Sequence, residues 1–189
     1  MAPVESLIRP AAEHEIREIE AVSVAAYGEH RANVPHSVFN AYISDMRRLA
    51  DYLHEAEVLV AEIGGRIAGS VLFYADASAE GLGLPQGWSG FRKLAVHPDM
   101  RGHGLGRRLT QACIAAARGR GAPTIGIHTA SFMHPALRVY EQMGFRRCPE
   151  FDISAADVGL GSDGGEVKVI AYRLDLGQGD QSRSSVQRQ

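Results

Sequence analysis

Nowhere does this sequence run to the roughly 18 consecutive apolar residues that a membrane-spanning helix needs. It opens Met1-Ala2-Pro3-Val4-Glu5-Ser6, with no basic stretch leading into an apolar one, so no secretory signal is expected. Cysteine is scarce: only Cys113 and Cys148 are present. Two isolated thiols make neither a disulfide framework nor a metal-ligand spacing, and they suit a reducing cytoplasm, the expected location. Charge of one sign is scarce too. A formal net charge of -2 gives no bulk attraction for nucleic acid or a membrane surface, and neither partner is expected. The eight histidines do not make a metal site. His30/His36 and His128/His134 miss the i, i+4 helical spacing and have no cysteine beside them, so no metal is expected.

With 189 residues, 45% of them apolar, the chain is long enough for one well-packed domain, read here as residues 1–176. Residues 177–189 hold one apolar residue, Val186, and are expected to be a disordered tail. Val4–Arg9 reads as a strand stopped by Pro10. Helical spacing marks 11–27, and a stripe of Phe39, Tyr42, Ile43, Met46, Leu49, Ala50 and Leu53 marks a second helix that Ser37 is placed to cap. Val58–Ile63, Gly64-Gly65 and Arg66–Tyr74 read as a hairpin. Asp76–Gly87 reads as an excursion at a sheet edge. Phe91–His97 is the next strand. A helix from about Gly104 to Arg118 follows, burying Leu105, Leu109, Ala112, Cys113 and Ala116, and Gly119 and Gly121 stop it. Pro123–Thr129 is a strand, Pro135 opens a helix ended by Gly144, and Phe145–Phe151 and Glu166–Leu174 are the last strands. The order is that of an α/β fold, a mixed sheet with helices on both faces.

Charge is uneven within this nearly neutral chain. Between Gly90 and Gly121 lie Arg92, Lys93, Arg101, Arg107, Arg108, Arg118 and Arg120, opposed only by Asp99. Such a run is either a solvated helix face or a local site for a polyanion. The glycines in the same window favour the polyanion. In Leu94-Ala95-Val96-His97-Pro98-Asp99-Met100-Arg101-Gly102-His103-Gly104-Leu105-Gly106-Arg107-Arg108, a strand ends and a glycine-rich turn opens onto an amphipathic helix. The first N–H groups of a helix have no internal partner, and the helix dipole adds partial positive charge there. Glycine lets a phosphate approach that backbone. A Walker loop is excluded, because Arg107-Arg108 stands where Lys-Ser/Thr is needed. A dinucleotide fingerprint fails in both registers, with Arg107 or Leu109 in place of the third glycine. Arg-x-x-Gly-x-Gly, met by Arg101, Gly104 and Gly106, remains.

That segment resembles the acetyl-CoA signature of the GNAT superfamily of N-acetyltransferases, including the preceding Leu-Ala-Val-His-Pro. A second stretch, Ala136-Leu137-Arg138-Val139-Tyr140-Glu141-Gln142-Met143-Gly144-Phe145, resembles the family's later motif. The resemblance covers about Arg66 to Arg147. It implies a mixed, mostly antiparallel sheet of about seven strands with about four helices. The implied activity is direct transfer of acetyl from acetyl-CoA to a primary amine on a small molecule or peptide. A homodimer would be in keeping with the family.

By the same resemblance, Leu94, Ala95 and Val96 pair with pantetheine, and a backbone N–H near Val96 serves as oxyanion donor. Arg101, Gly102, His103, Gly104, Leu105, Gly106 and Arg107 hold the pyrophosphate, and Tyr140 is the general acid for the thiolate. Spacing alone also fits Tyr140 as a core residue beside Ala136 and Leu137. Two departures stand out. Met133 replaces the family's cofactor-touching asparagine, and Ser89–Leu94 lacks the strand glutamate that often acts as base. His128 is the first candidate for the base, with His134, Glu62, Glu29 and Asp76 behind it. His97 is assigned a structural role. The acceptor is expected beside Gly28–Pro35, the first two helices and Phe151–Gly165. The alternative from another class is a non-catalytic acyl-CoA-binding module that regulates or docks.

Overall fold

The computed structural model of the protein describes residues 5–154 and 167–177. Among these residues eight strands make one sheet: β1 (Ser6–Pro10), β2 (Glu57–Ile63), β3 (Arg66–Tyr74), β4 (Ser89–Val96), β5 (Thr124–Ala130), β6 (Arg146–Arg147), β7 (Ile153–Ser154) and β8 (Lys168–Asp175). Their order is β1-β2-β3-β4-β5-β8-β6, with β7 also on β8. Among the described strands, only β4 and β5 pair in parallel. The helices are α1 (Ile16–Gly28), α2 (His36–Met46), α3 (Leu105–Gly119) and α4 (His134–Gln142). This is the mixed, mostly antiparallel α/β architecture expected from the sequence.

The strand period separates two cores. β3 sends Val71 and Phe73 to the face covered by α3. It sends Leu72 and Tyr74 to the opposite face, where Ile19 and Val22 of α1 pack. On α3, Leu105, Leu109, Cys113 and Ala117 fall four residues apart and are fully buried, a stripe that docks the helix along the sheet. Leu105 and Leu109 each contribute about 1.5–3 kcal/mol on burial. Leu105, Leu109 and Cys113 are buried as expected, whereas Ala112 and Ala116 are half-exposed, and Thr110, Ile114 and Ala117 are buried instead. Both cysteines are free and buried.

Four local expectations are corrected. The second helix stops at Met46, and Leu49–Tyr52 is a separate 3-10 turn. Its N-cap is Pro35, and the Ser37 hydroxyl is buried without a partner among the described residues. Phe145–Phe151 contributes only the two-residue β6 before a 3-10 turn at Pro149–Phe151, since Pro149 cannot donate to a ladder. The Asp76–Gly87 excursion is not at a sheet edge. It links two central strands, β3 and β4, and folds inward to bury Ala77, Glu80 and Leu84. The tail expected beyond Gly177 and the acceptor loop beyond Ser154 lie outside the described residues.

Candidate active site

β4 creates the site by leaving its neighbour. Ser89, Gly90 and Phe91 pair with Ile125, Gly126 and Ile127 of β5, and pairing ends there. On its other side β4 stays with β3, but the register slips, with Arg92 opposite Leu72 and Ala95 opposite Ser70. Lys93 and Leu94 therefore face the single residue Val71, which is a β-bulge. Lys93 carries the strain of that bulge with φ 53°, a left-handed conformation rare outside glycine. The bulge turns Leu94, Ala95 and Val96 away from β5, so one edge of their backbone has no strand beside it.

Beyond Val96, His97 Nδ1 accepts from Asp99 N–H at 3.3 Å, fixing the Pro98–Met100 turn in the structural role expected of it. Gly102 and Gly104 then adopt φ 81° and 72°, which side chains would resist. The first helical bond of α3 runs from Arg108 N–H to Gly104 O. The amides of Leu105, Gly106 and Arg107 precede it, and no side chain caps that end. These donors open onto a cavity of about 490 Å³ lined by Leu94, Ala95, Val96, Arg101, Gly104 and Arg107 among others. Gly102, Leu105 and Gly106 line it too, whereas His103 does not.

The basic run is dispersed by the fold. Arg101 pairs with Glu29, Arg108 with the Ser6 hydroxyl and Arg120 with Glu57. Arg92 and Lys93 point elsewhere, to a second cavity of about 570 Å³. That cavity is walled by Tyr27, Tyr42 and Tyr52 and by Asp45, Glu80, His128 and Tyr140. The two cavities share Tyr27, Leu94, Met133 and Ala136, so they meet where the bulge ends. Met133, the expected departure from the cofactor contact, stands at that junction and accepts from Thr129 Oγ1 at 3.8 Å. α1 and α2 border the second cavity as expected. His30, from the Gly28–Pro35 loop, lines the first instead.

Tyr140 lies one helical turn beyond Ala136, with its ring 5.8 Å from Phe91 and 5.8 Å from Phe145. Its hydroxyl has no hydrogen-bond partner among the described residues, and burial raises it well above the ordinary phenol range. His128 lines the second cavity, and its Nε2 donates to Phe151 O at 2.8 Å. That bond leaves the lone pair on Nδ1, which is buried without a partner among the described residues. Burial lowers His128 and keeps it neutral. The other candidates for the base are engaged or remote. Glu62 pairs with Arg9, Glu29 with Arg101, Asp76 accepts from Ser78, and His134 is exposed at the start of α4.

Sequence reasoning missed Glu80. Its carboxyl is sealed, with neither oxygen hydrogen-bonded among the described residues, and burial pushes it up to about 8 against the partial opposition of Arg92. Gly90 is the residue behind it, where any Cβ would collide with Glu80 Oε1. No local pattern marks a carboxylate inside a Gly- and Ser-rich loop.

A family model described as the acetyltransferase (GNAT) family matches residues 14–145. A curated mycothiol acetyltransferase from Thermobispora bispora is 34% identical over 101 residues, covering 53% of this chain and 34% of that protein. The chain thus spans about a third of that relative's length. The crystal structure of a Bacillus subtilis acetyltransferase in complex with CoA superposes with TM-score 0.65 at 18% identity, covering 91% of this chain and 99% of that one. The ribosomal-protein-S18-alanine N-acetyltransferase of Escherichia coli gives 0.62 at 16% identity, over 95% and 99%. At those identities the superpositions establish a shared fold.

Proposed function

The chain belongs to the GNAT acetyltransferase family, and from that premise we propose that it moves the acetyl group of acetyl-CoA to a primary amine. One observation carries the reading: the bulge at Lys93 frees the Leu94–Val96 edge on the same line that ends at the uncapped amides of α3. A flexible arm ending in a pyrophosphate matches that line, with the arm along the strand edge and the phosphates at Gly102–Arg107. The chemistry the co-substrate brings is an activated thioester, so transfer is direct and positioning supplies much of the rate.

The chain's residues then have separate tasks. A backbone N–H near Val96 donates to the oxygen that gains charge as the amine attacks. The new C–N bond forms as the C–S bond breaks, and the sulfur leaves with its electron pair. Tyr140, one turn from the junction, donates its phenolic proton to that sulfur. The amine's proton goes to the lone pair on His128 Nδ1, whose ring burial holds toward the neutral form.

Thermal unfolding tests the cofactor half of this reading. Acetyl-CoA at about 100 times its dissociation constant adds about 2.7 kcal/mol, a shift of about 5–10 °C for a chain of this size. NAD at the same concentration leaves the midpoint unchanged. Absence of a shift at saturating acetyl-CoA removes the cleft from consideration.

A further inference from the structure

Three cations among the described residues line the second cavity, and two of them are engaged. Lys93 Nζ donates to Asp45 O at 2.8 Å and sits 3.0 Å from Asp45 Oδ1. Arg48 Nε donates to Asp51 Oδ2 at 2.7 Å. Arg92 differs. Its nearest acid oxygen, on Glu80, is 4.0 Å from Nε, and its other contact is with the Tyr52 ring at 5.9 Å. It donates no hydrogen bond among the described residues.

Exposure separates the two partners of that loose pair. The Glu80 side chain is 0% exposed, whereas 22% of the Arg92 side chain reaches open space. Glu80 meets Arg92 only through that 4.0 Å approach, and neither of its oxygens accepts a hydrogen bond from the guanidinium. Asp45 acts on Arg92 only at a distance, its carboxylate being taken up by Lys93 and by the Tyr52 hydroxyl. A guanidinium presents five donors in a planar fork that matches a carboxylate. The guanidinium nitrogens of Arg92 are not sealed, so a ligand entering the cavity can meet their unbonded donors.

We propose that Arg92 receives a carboxylate carried by the acceptor, which makes the substrate class an aminocarboxylate such as a free amino acid. The proposal rests on the acyl-transfer reading and specifies its acceptor. Arg92 stands two residues before Leu94, where the cavities meet, a separation of at most about 7 Å along a strand. A carboxylate on Arg92 and an amine at the junction therefore fit one small molecule. Tyr27 and Tyr42, stacked at 6.2 Å, wall the space left for the rest of the acceptor.

Calorimetric titration of the CoA-saturated protein tests this, with matched pairs of α-amino acids and their decarboxylated amines as probes. At least one amino acid should bind about 30-fold or more tightly than its decarboxylated partner. Arg92→Met should reduce that ratio to within about threefold while CoA affinity is retained, and Arg92→Lys should keep part of it as a point charge without the fork. Retained CoA affinity certifies that each variant is folded. Equal binding of both members of every pair overturns the proposal, as does full discrimination in Arg92→Met. Tighter binding of an aminoalkyl phosphate than of any amino acid also overturns it. Failure of the wild-type protein to bind CoA overturns the transferase reading and this inference with it.

Discussion

Replacing Tyr140 by Phe should lower kcat about 100- to 1000-fold, the usual contribution of a positioned general acid, and leave the affinity for acetyl-CoA within about twofold. The substitution is unusually clean. The ring keeps its neighbours Phe91 and Phe145 at 5.8 Å. The hydroxyl it removes has no partner among the described residues, so no hydrogen bond is lost and stability should change by less than about 0.5 kcal/mol. Because burial raises the Tyr140 phenol, it stays protonated well into alkaline solution, and kcat should show no basic limb below about pH 10. Stopped-flow or steady-state release of the CoA thiol reads all three quantities. Unchanged kcat in the variant would assign Tyr140 to the core alone.

The second large effect is one of stability. Burial raises the Glu80 carboxyl from 4.5 to about 8. Between those values the folded protein binds the proton and the unfolded chain does not. The contribution is therefore fully present below about pH 4.5 and is lost as pH rises through about 8. A tenfold change in proton affinity between the two states corresponds to about 1.4 kcal/mol, and solvent rearrangement around the ionised group reduces the total to about 2–4 kcal/mol. Glu80→Gln has nearly the same shape and no proton to lose. It should match the wild type at pH 5 and exceed it at pH 9 by about 2–4 kcal/mol, or about 5–10 °C in Tm. Urea denaturation at the two pH values measures the difference. Parallel curves for the two proteins across that range would mean that Glu80 ionises freely, and that its carboxylate is not sealed behind Arg92.

What could be read from the sequence was local. Gly64-Gly65 marks a two-residue turn whatever surrounds it, and the hairpin of β2 and β3 follows. The turn from Arg101 to Gly106 and the apolar repeat of α3 are likewise set within a few residues, and they lead to the phosphate end of the cleft. The bulge at Lys93 is not local. It arises from the register between β3 and β4, with two residues set against Val71, and no residue at 93 or 94 announces it. Arg92 shows the same limit. In sequence it belongs with the basic run that follows, but the strand period and the bulge turn it into the other cavity. Glu80 is hidden for a third reason. Its role depends on the inward folding of a loop whose composition looks solvated, and on the missing side chain of Gly90. The end of α2 at Met46 was concealed by an apolar stripe that continues through Leu49 and Leu53, although Leu53 is exposed.

The most direct measurement is transfer itself. Acetyl-CoA at saturation is incubated with a panel of primary amines and amino acids, while thiol release is followed and the acceptor is analysed by mass spectrometry. The expected result is CoA and N-acetylated acceptor in equal amounts, at a rate that falls in Tyr140→Phe. Tight binding of acetyl-CoA, with no amine raising thiol release above background hydrolysis, would contradict it and leave a cofactor-binding module without catalysis.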